Sequence, residues 1–127
     1  MKTNELMIGD WVLLEGTPAK IVGVEIYCSN LYVQTNLKDA WYTSNFVEPI
    51  PLTKEILEKN EFKKDFELKG CYWRPDCRKY CIVKEIETWY FAFRHMGGGH
   101  ICISECNYVH ELQHALRLCK VDKAIVL

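Results

Sequence analysis

No uncharged apolar stretch in this sequence approaches the roughly 20 residues that a membrane-spanning helix needs, so no membrane partner is expected. Positive charge is not in excess either: Lys and Arg number 16 against 17 Asp and Glu. Residues 1–52 hold three basic and six acidic residues, and residues 53–127 are only weakly basic with charges of alternating sign. A polyphosphate partner leaves a clustered basic footprint, so the charge pattern argues against nucleic acid. No C-x-x-C pair occurs among the seven cysteines, because Cys71, Cys77 and Cys81 are five and then three residues apart and Cys102 and Cys106 three apart. A structural zinc cluster completed by His95 or His100 is therefore disfavoured. The opening MKTNELMIGDW has no basic start followed by an apolar run, and the cysteine count is odd, so the expectation is reduced thiols in a cytoplasmic protein. The glycine run Gly97–Gly99 lacks the G-x-x-x-x-G-K-[ST] order of a phosphate-binding loop and leads into a strand, which makes it a hairpin turn.

What is present is ample core material. Across 127 residues 49% are hydrophobic and 26% charged, enough for one domain or two small subdomains. The expected fold class is α+β, divided into a β subdomain over residues 1–52 and a helix, sheet and helix over residues 53–127. In the first part, strands are expected over 7–14, 19–26, 30–35, 39–42 and 46–50, separated at about ten-residue spacing by turn signals such as Glu15-Gly16-Thr17-Pro18. Short strands hide their edges best by curling on one another, so an SH3-like small β-barrel is expected.

Thr53 can cap the helix that follows, with Leu52 and Leu57 as a hydrophobic staple and Asn60 as its left-handed end. Strands over 71–74, 80–84, 89–94 and 100–103 then form an antiparallel meander, and the chain closes with an amphipathic helix packed on that sheet. Within the closing helix, His110-Glu111-Leu112-Gln113-His114 spells the H-E-x-x-H zinc motif, in which two histidines one turn apart hold a metal and the glutamate acts as base. On a helical wheel Leu112, Leu116, Tyr108, Ala115, Val109 and Cys119 share one face, while His110 and His114 fall opposite and are expected to face water. Arg117 lies beside them, and no histidine follows to complete the ligand set. An ordinary amphipathic helix capped by Asn107 is the preferred reading; a zinc site on His110 and His114 is the alternative.

The landmarks IGDWV, EPIPLTKEIL and YVHELQ, in that order, resemble a group of small proteins of Bacteroides-type bacteria and their phages and mobile elements. The resemblance implies no particular activity. It implies Asn where this chain has His114, Gln as a replacement for Glu111, and Gly where this chain has Glu61.

Three functions follow. The first is a non-enzymatic protein-interaction module with no cofactor, in which Trp11, Tyr32, Trp41 and Tyr42, together with Tyr27, present aromatic surface to a protein partner. The second is a zinc-dependent hydrolase using His110, Glu111 and His114. The third is a nucleic-acid-binding accessory protein using Lys63, Lys64, Lys69, Arg74, Arg78 and Lys79. An uncovered sheet edge would make the chain a homo-oligomer.

Overall fold

The computed structural model describes residues 6–65, 70–75, 77–94, 100–120 and 124–127. The chain is α+β, with two five-stranded antiparallel sheets and a C-terminal helix. It divides into two compact units, one running to Pro51 and including Tyr108–His110, the other comprising Leu52–Asn107 and Glu111–Leu127.

In the first unit, β1 (Trp11–Leu14), β2 (Thr17–Tyr27), β3 (Asn30–Thr35), β4 (Trp41–Thr43) and β5 (Val47–Pro49) form one sheet in the order β4-β3-β2-β1-β5. Strand β1 starts at Trp11 rather than at Met7. The segment before it is a turn, in which the Asp10 carboxylate accepts the Met7 N–H at 2.8 Å and the Asp10 N–H donates to the Met7 carbonyl. Gly9 takes φ 97° there. Two-residue loops join β1 to β2 and β2 to β3, with Leu14 opposite Thr17 and Tyr27 opposite Asn30. Their central residues have positive φ throughout: Glu15 and Gly16 at 52° and 80°, Cys28 and Ser29 at 50° and 64°. Such turns match the right-handed twist of the strands they join.

The 11 residues of β2 serve two ladders. Thr17–Lys20 pair with β1, while the stretch from Ile21 pairs with β3 across a register shift between Ile21 and Gly23. A bulge of this kind bends a strand and lets it turn a corner. A 3-10 turn over Ser44–Phe46 carries β4 into β5, which returns to pair with β1. Alternation along the strands points Val12, Leu14, Ala19, Ile21, Leu31, Val33 and Val47 inward, and these cluster with Leu6.

In the second unit, α1 (Lys54–Lys59) starts as expected, with the Thr53 hydroxyl accepting the Ile56 N–H at 3.3 Å and with Leu52 and Leu57 both buried. Its end differs. Asn60 has φ −98°, and the left-handed residue is Glu61 at 69°. The Asn60 side chain is employed elsewhere: its amide donates to the carbonyls of Ile56 and Val126 at 2.8 and 2.7 Å, and its oxygen accepts the Val126 N–H at 2.7 Å. A buried carboxamide thus pins the C-terminal segment.

The meander is β6 (Lys63–Lys64), β7 (Cys71–Arg74), β8 (Cys77–Glu85), β9 (Thr88–Arg94) and β10 (His100–Glu105), neighbours in chain order. Its centre is buried on both faces: Cys71, Cys81, Val83 and Ala92 cluster on one with Trp73 against them, while Tyr72, Ile82, Trp89 and Phe91 are buried on the other. That explains why β8 reads as an unbroken apolar run, Tyr80–Val83, rather than as an alternation. The glycine run falls outside the described residues.

Helix α2 (Val109–Leu118) buries Val109, Leu112 and Leu116. Its capping differs from the expectation at Asn107. That carboxamide accepts the Trp89 N–H at 3.0 Å, and it is Glu111 that reaches back to accept the Asn107 N–H at 3.0 Å. The wheel also misplaces one histidine: His110 is 1% exposed, and His114 is half-buried. The start of the helix makes contacts that a wheel does not count. Val109 donates to the Ile50 carbonyl at 2.8 Å, Tyr108 forms a bridge with Pro51, and the Tyr108 ring stacks on His110 at 6.0 Å between centroids.

Candidate functional site

The outward face of β2, β3 and β4 carries an aromatic shelf. Strand alternation and the turn at Cys28-Ser29 set Glu25 opposite Tyr32, and Gln34 opposite both Gly23 and Trp41. Their neighbours Leu31, Val33 and Thr35 point inward and are buried, so Tyr32 and Gln34 must point out. Tyr27 meets Tyr32 edge to face, with centroids 6.5 Å apart. Trp41, 46% exposed, lies across the strands toward β2. A Cβ built on Gly23 would come within 2.9 Å of the far edge of the indole, so glycine at this position makes the seat on which the ring lies. Asp39 braces the arrangement by accepting the Gln34 side-chain amide at 2.7 Å.

Together Glu25, Tyr27, Tyr32 and Trp41 enclose an open concavity of about 250 Å3. Three aromatic rings and one carboxylate line this surface. Such a surface attracts a cation through the ring quadrupoles, by about 0.5–1 kcal/mol per contact where exposed and more where water is displaced. The surplus of acidic residues before residue 53 adds to the same field.

Of the aromatic residues singled out from sequence, Tyr32 and Trp41 come together here, and Tyr27 joins them. Trp11 and Tyr42 do not. Trp11 lies opposite Lys20, whose ammonium sits 5.5 Å from the ring centroid, and Tyr42 packs on the buried cluster and on Phe46. Glu25 and Gly23 were not foreseen. The signal was present in the alternation Gly23-x-Glu25-x-Tyr27 followed by a two-residue turn, which places all three on the face shared with Tyr32.

The second unit holds a concavity of about 340 Å3 lined by Leu52, Thr53, Gly70, Tyr72, Lys84 and Trp89 among others, with the Lys84 ammonium 5.3 Å over the Trp89 ring. Of the basic residues considered for nucleic acid, Arg74 is 1% exposed and lies over the Phe62 ring at 5.2 Å, which removes it from any contact surface. Lys69 and the Arg78 side chain lie outside the described residues, as does His95.

For metal, the three donor side chains that the described residues bring together are Glu85, His100 and Cys102, whose ligand atoms lie within 4.8 Å of one another. His110 and His114 are not among them. Cys28, Cys102, Cys106 and Cys119 carry free thiols. Burial, reinforced by the charge of Glu111, raises the Cys106 thiol far above its usual range, so it stays protonated. Burial and then the charge of Glu85 raise Cys102 as well. The chain matches no family model, no curated protein and no solved structure.

Proposed function

We propose that the chain is a non-enzymatic protein-interaction module whose N-terminal unit is an SH3-like barrel, with the C-terminal helix packed on the second sheet. The barrel reading is supported by the strand order β4-β3-β2-β1-β5, by β2 bending at its bulge to serve two ladders, and by the 3-10 turn that returns β5 to β1. The helix reading is supported by the burial of Leu112 and Leu116, one turn apart, and by the Glu111, Asn107 and Trp89 hydrogen bonds that tie its start to β9.

The observation that carries the function is the shelf of Tyr27, Tyr32 and Trp41 beside Glu25. Its occupant is a cationic side chain, lysine or arginine, presented by a protein partner. A concavity of this size takes one side chain and no more, so the rest of the affinity comes from contacts around it. The cation alone contributes a few kcal/mol from three rings and a carboxylate, which puts the dissociation constant of a small cationic probe on the order of millimolar. The test is a choline titration followed through the amide and indole N–H resonances of the labelled protein. Shifts should centre on Glu25, Tyr27, Tyr32 and Trp41, and Trp41→Ala should weaken binding by about fivefold or more. Shifts elsewhere, or an unchanged affinity in Trp41→Ala, would remove the proposal.

A further inference from the structure

We infer that Glu85, His100 and Cys102 form a divalent-cation site of zinc type in the second unit, independent of the aromatic shelf. His100 and Cys102 stand two apart on β10, so they project from the same face of the strand. The register extends this to the third residue. Cys102 lies opposite Ala92, His100 opposite Arg94 and Glu85 opposite Thr88, positions an even number of residues apart along β9, so the three donors share one face of the sheet. For the end of β8 to meet the start of β10 the sheet has to coil, and the irregularity between Cys102 and Ser104 is of the kind that bends an edge strand and re-aims its side chains. β10 ends the sheet order, which leaves this corner approachable from the side.

The donor geometry fits the ion. Nitrogen and oxygen ligands about 2.0–2.1 Å from a tetrahedral centre stand about 3.4 Å apart, and a sulfur at about 2.3 Å stands about 3.6 Å from either. The His100 Nε2 and Glu85 Oε1 atoms are 3.4 Å apart, and all three ligand atoms lie within 4.8 Å. The thiol therefore has only about an ångström to close. Thiolate, imidazole and carboxylate are a borderline-soft set that selects zinc over magnesium or calcium, which prefer all-oxygen sites. Three protein ligands leave the fourth position for water or for a donor from a partner. The contact between His100 and Glu85, whose side chains are 24% and 55% exposed, also has a simpler role as a side-chain hydrogen bond, and the experiment must separate the two.

Cobalt(II) distinguishes them, because only a thiolate ligand produces the intense sulfur-to-cobalt charge-transfer absorption in the near ultraviolet. The untagged full chain, reduced and freed of metal, is titrated with cobalt(II) and then with zinc(II). The site predicts a band that saturates at one equivalent and is displaced by zinc. Cys102→Ser abolishes the band, His100→Ala weakens binding by at least about tenfold, and Cys28→Ser, which changes an exposed thiol in the other unit, leaves it intact. All three positions are accessible, so far-ultraviolet circular dichroism should show each variant folded. Absence of the band, its survival in Cys102→Ser, or its loss in Cys28→Ser would overturn the assignment and leave Glu85 and His100 as a hydrogen-bonded pair only.

Discussion

Replacing Asn60 by alanine removes three hydrogen bonds at once, two donated by the carboxamide to Ile56 and Val126 carbonyls and one accepted from the Val126 N–H. At about 1 kcal/mol net for each neutral hydrogen bond, the loss is about 3 kcal/mol. Water can partly replace the protein at Val126, which is 51% exposed, and this brings the expected cost to about 2–3 kcal/mol. If the C-terminal segment also leaves the surface, Ile125, 2% exposed, loses its burial, which adds about 1.5–3 kcal/mol and sets the ceiling. For a chain of this length the smaller figure lowers Tm by about 8–12 °C. Denaturant unfolding gives the energy, and hydrogen exchange at the Val126 amide gives its location. Asn60→Asp keeps the acceptor for Val126 but sets a carboxylate oxygen against two carbonyls, so it should cost at least as much. A loss below about 1 kcal/mol with the Val126 amide still protected would refute the reasoning.

Ile86 opens the two-residue β8–β9 turn at φ 58° and is 97% exposed. Ile86→Gly should therefore raise stability by about 1 kcal/mol, because a β-branched residue is strained there and glycine is not; unfolding curves that move the other way would contradict this. Gly23→Ala should leave Tm within a few degrees, since Gly23 is not at positive φ and what a Cβ there would meet first is the end of an exposed indole. It should weaken choline binding severalfold by lifting Trp41 off its seat, and unchanged affinity would count against the shelf geometry. Cys106 stays protonated in the folded chain, whereas in the unfolded chain it ionises near its ordinary value of about 8.5. Stability is therefore unaffected below that value and falls above it, by up to about 1.4 kcal/mol per pH unit from this thiol. Urea unfolding at pH 8 and pH 10 should show the decline, and Cys106→Ala should reduce its slope.

The α+β class, the Thr53 cap and most strands were legible because each depends on local spacing. Asn30–Thr35 and Cys71–Arg74 match the expected strands to the residue. The start of β1 was missed because Asp10 uses its carboxylate to close a turn, which an apolar count does not register. The left-handed residue after α1 was assigned to Asn60, the better-suited type, but a distant segment claims the Asn60 side chain and Glu61 takes the strained conformation instead. His110 was misjudged for a related reason: a helical wheel knows one contact face, and this helix begins inside a second set of contacts. The aromatic shelf was half-legible. Strand parity could place Tyr27 beside Tyr32, but only the register places Trp41 over Gly23. The Glu85, His100 and Cys102 cluster depends on sheet coiling and leaves no mark in spacing beyond His100-x-Cys102.

In the proposed module, Glu25 and three rings bind a positive charge rather than merely apolar bulk. Choline and 3,3-dimethyl-1-butanol have the same shape and differ in one atom, nitrogen against carbon, so a parallel titration of the unmodified protein isolates the charge. Choline should bind at least about tenfold more tightly, a difference of about 1.4 kcal/mol, and the preference should shrink in Glu25→Gln. Equal affinity for the two probes would contradict it.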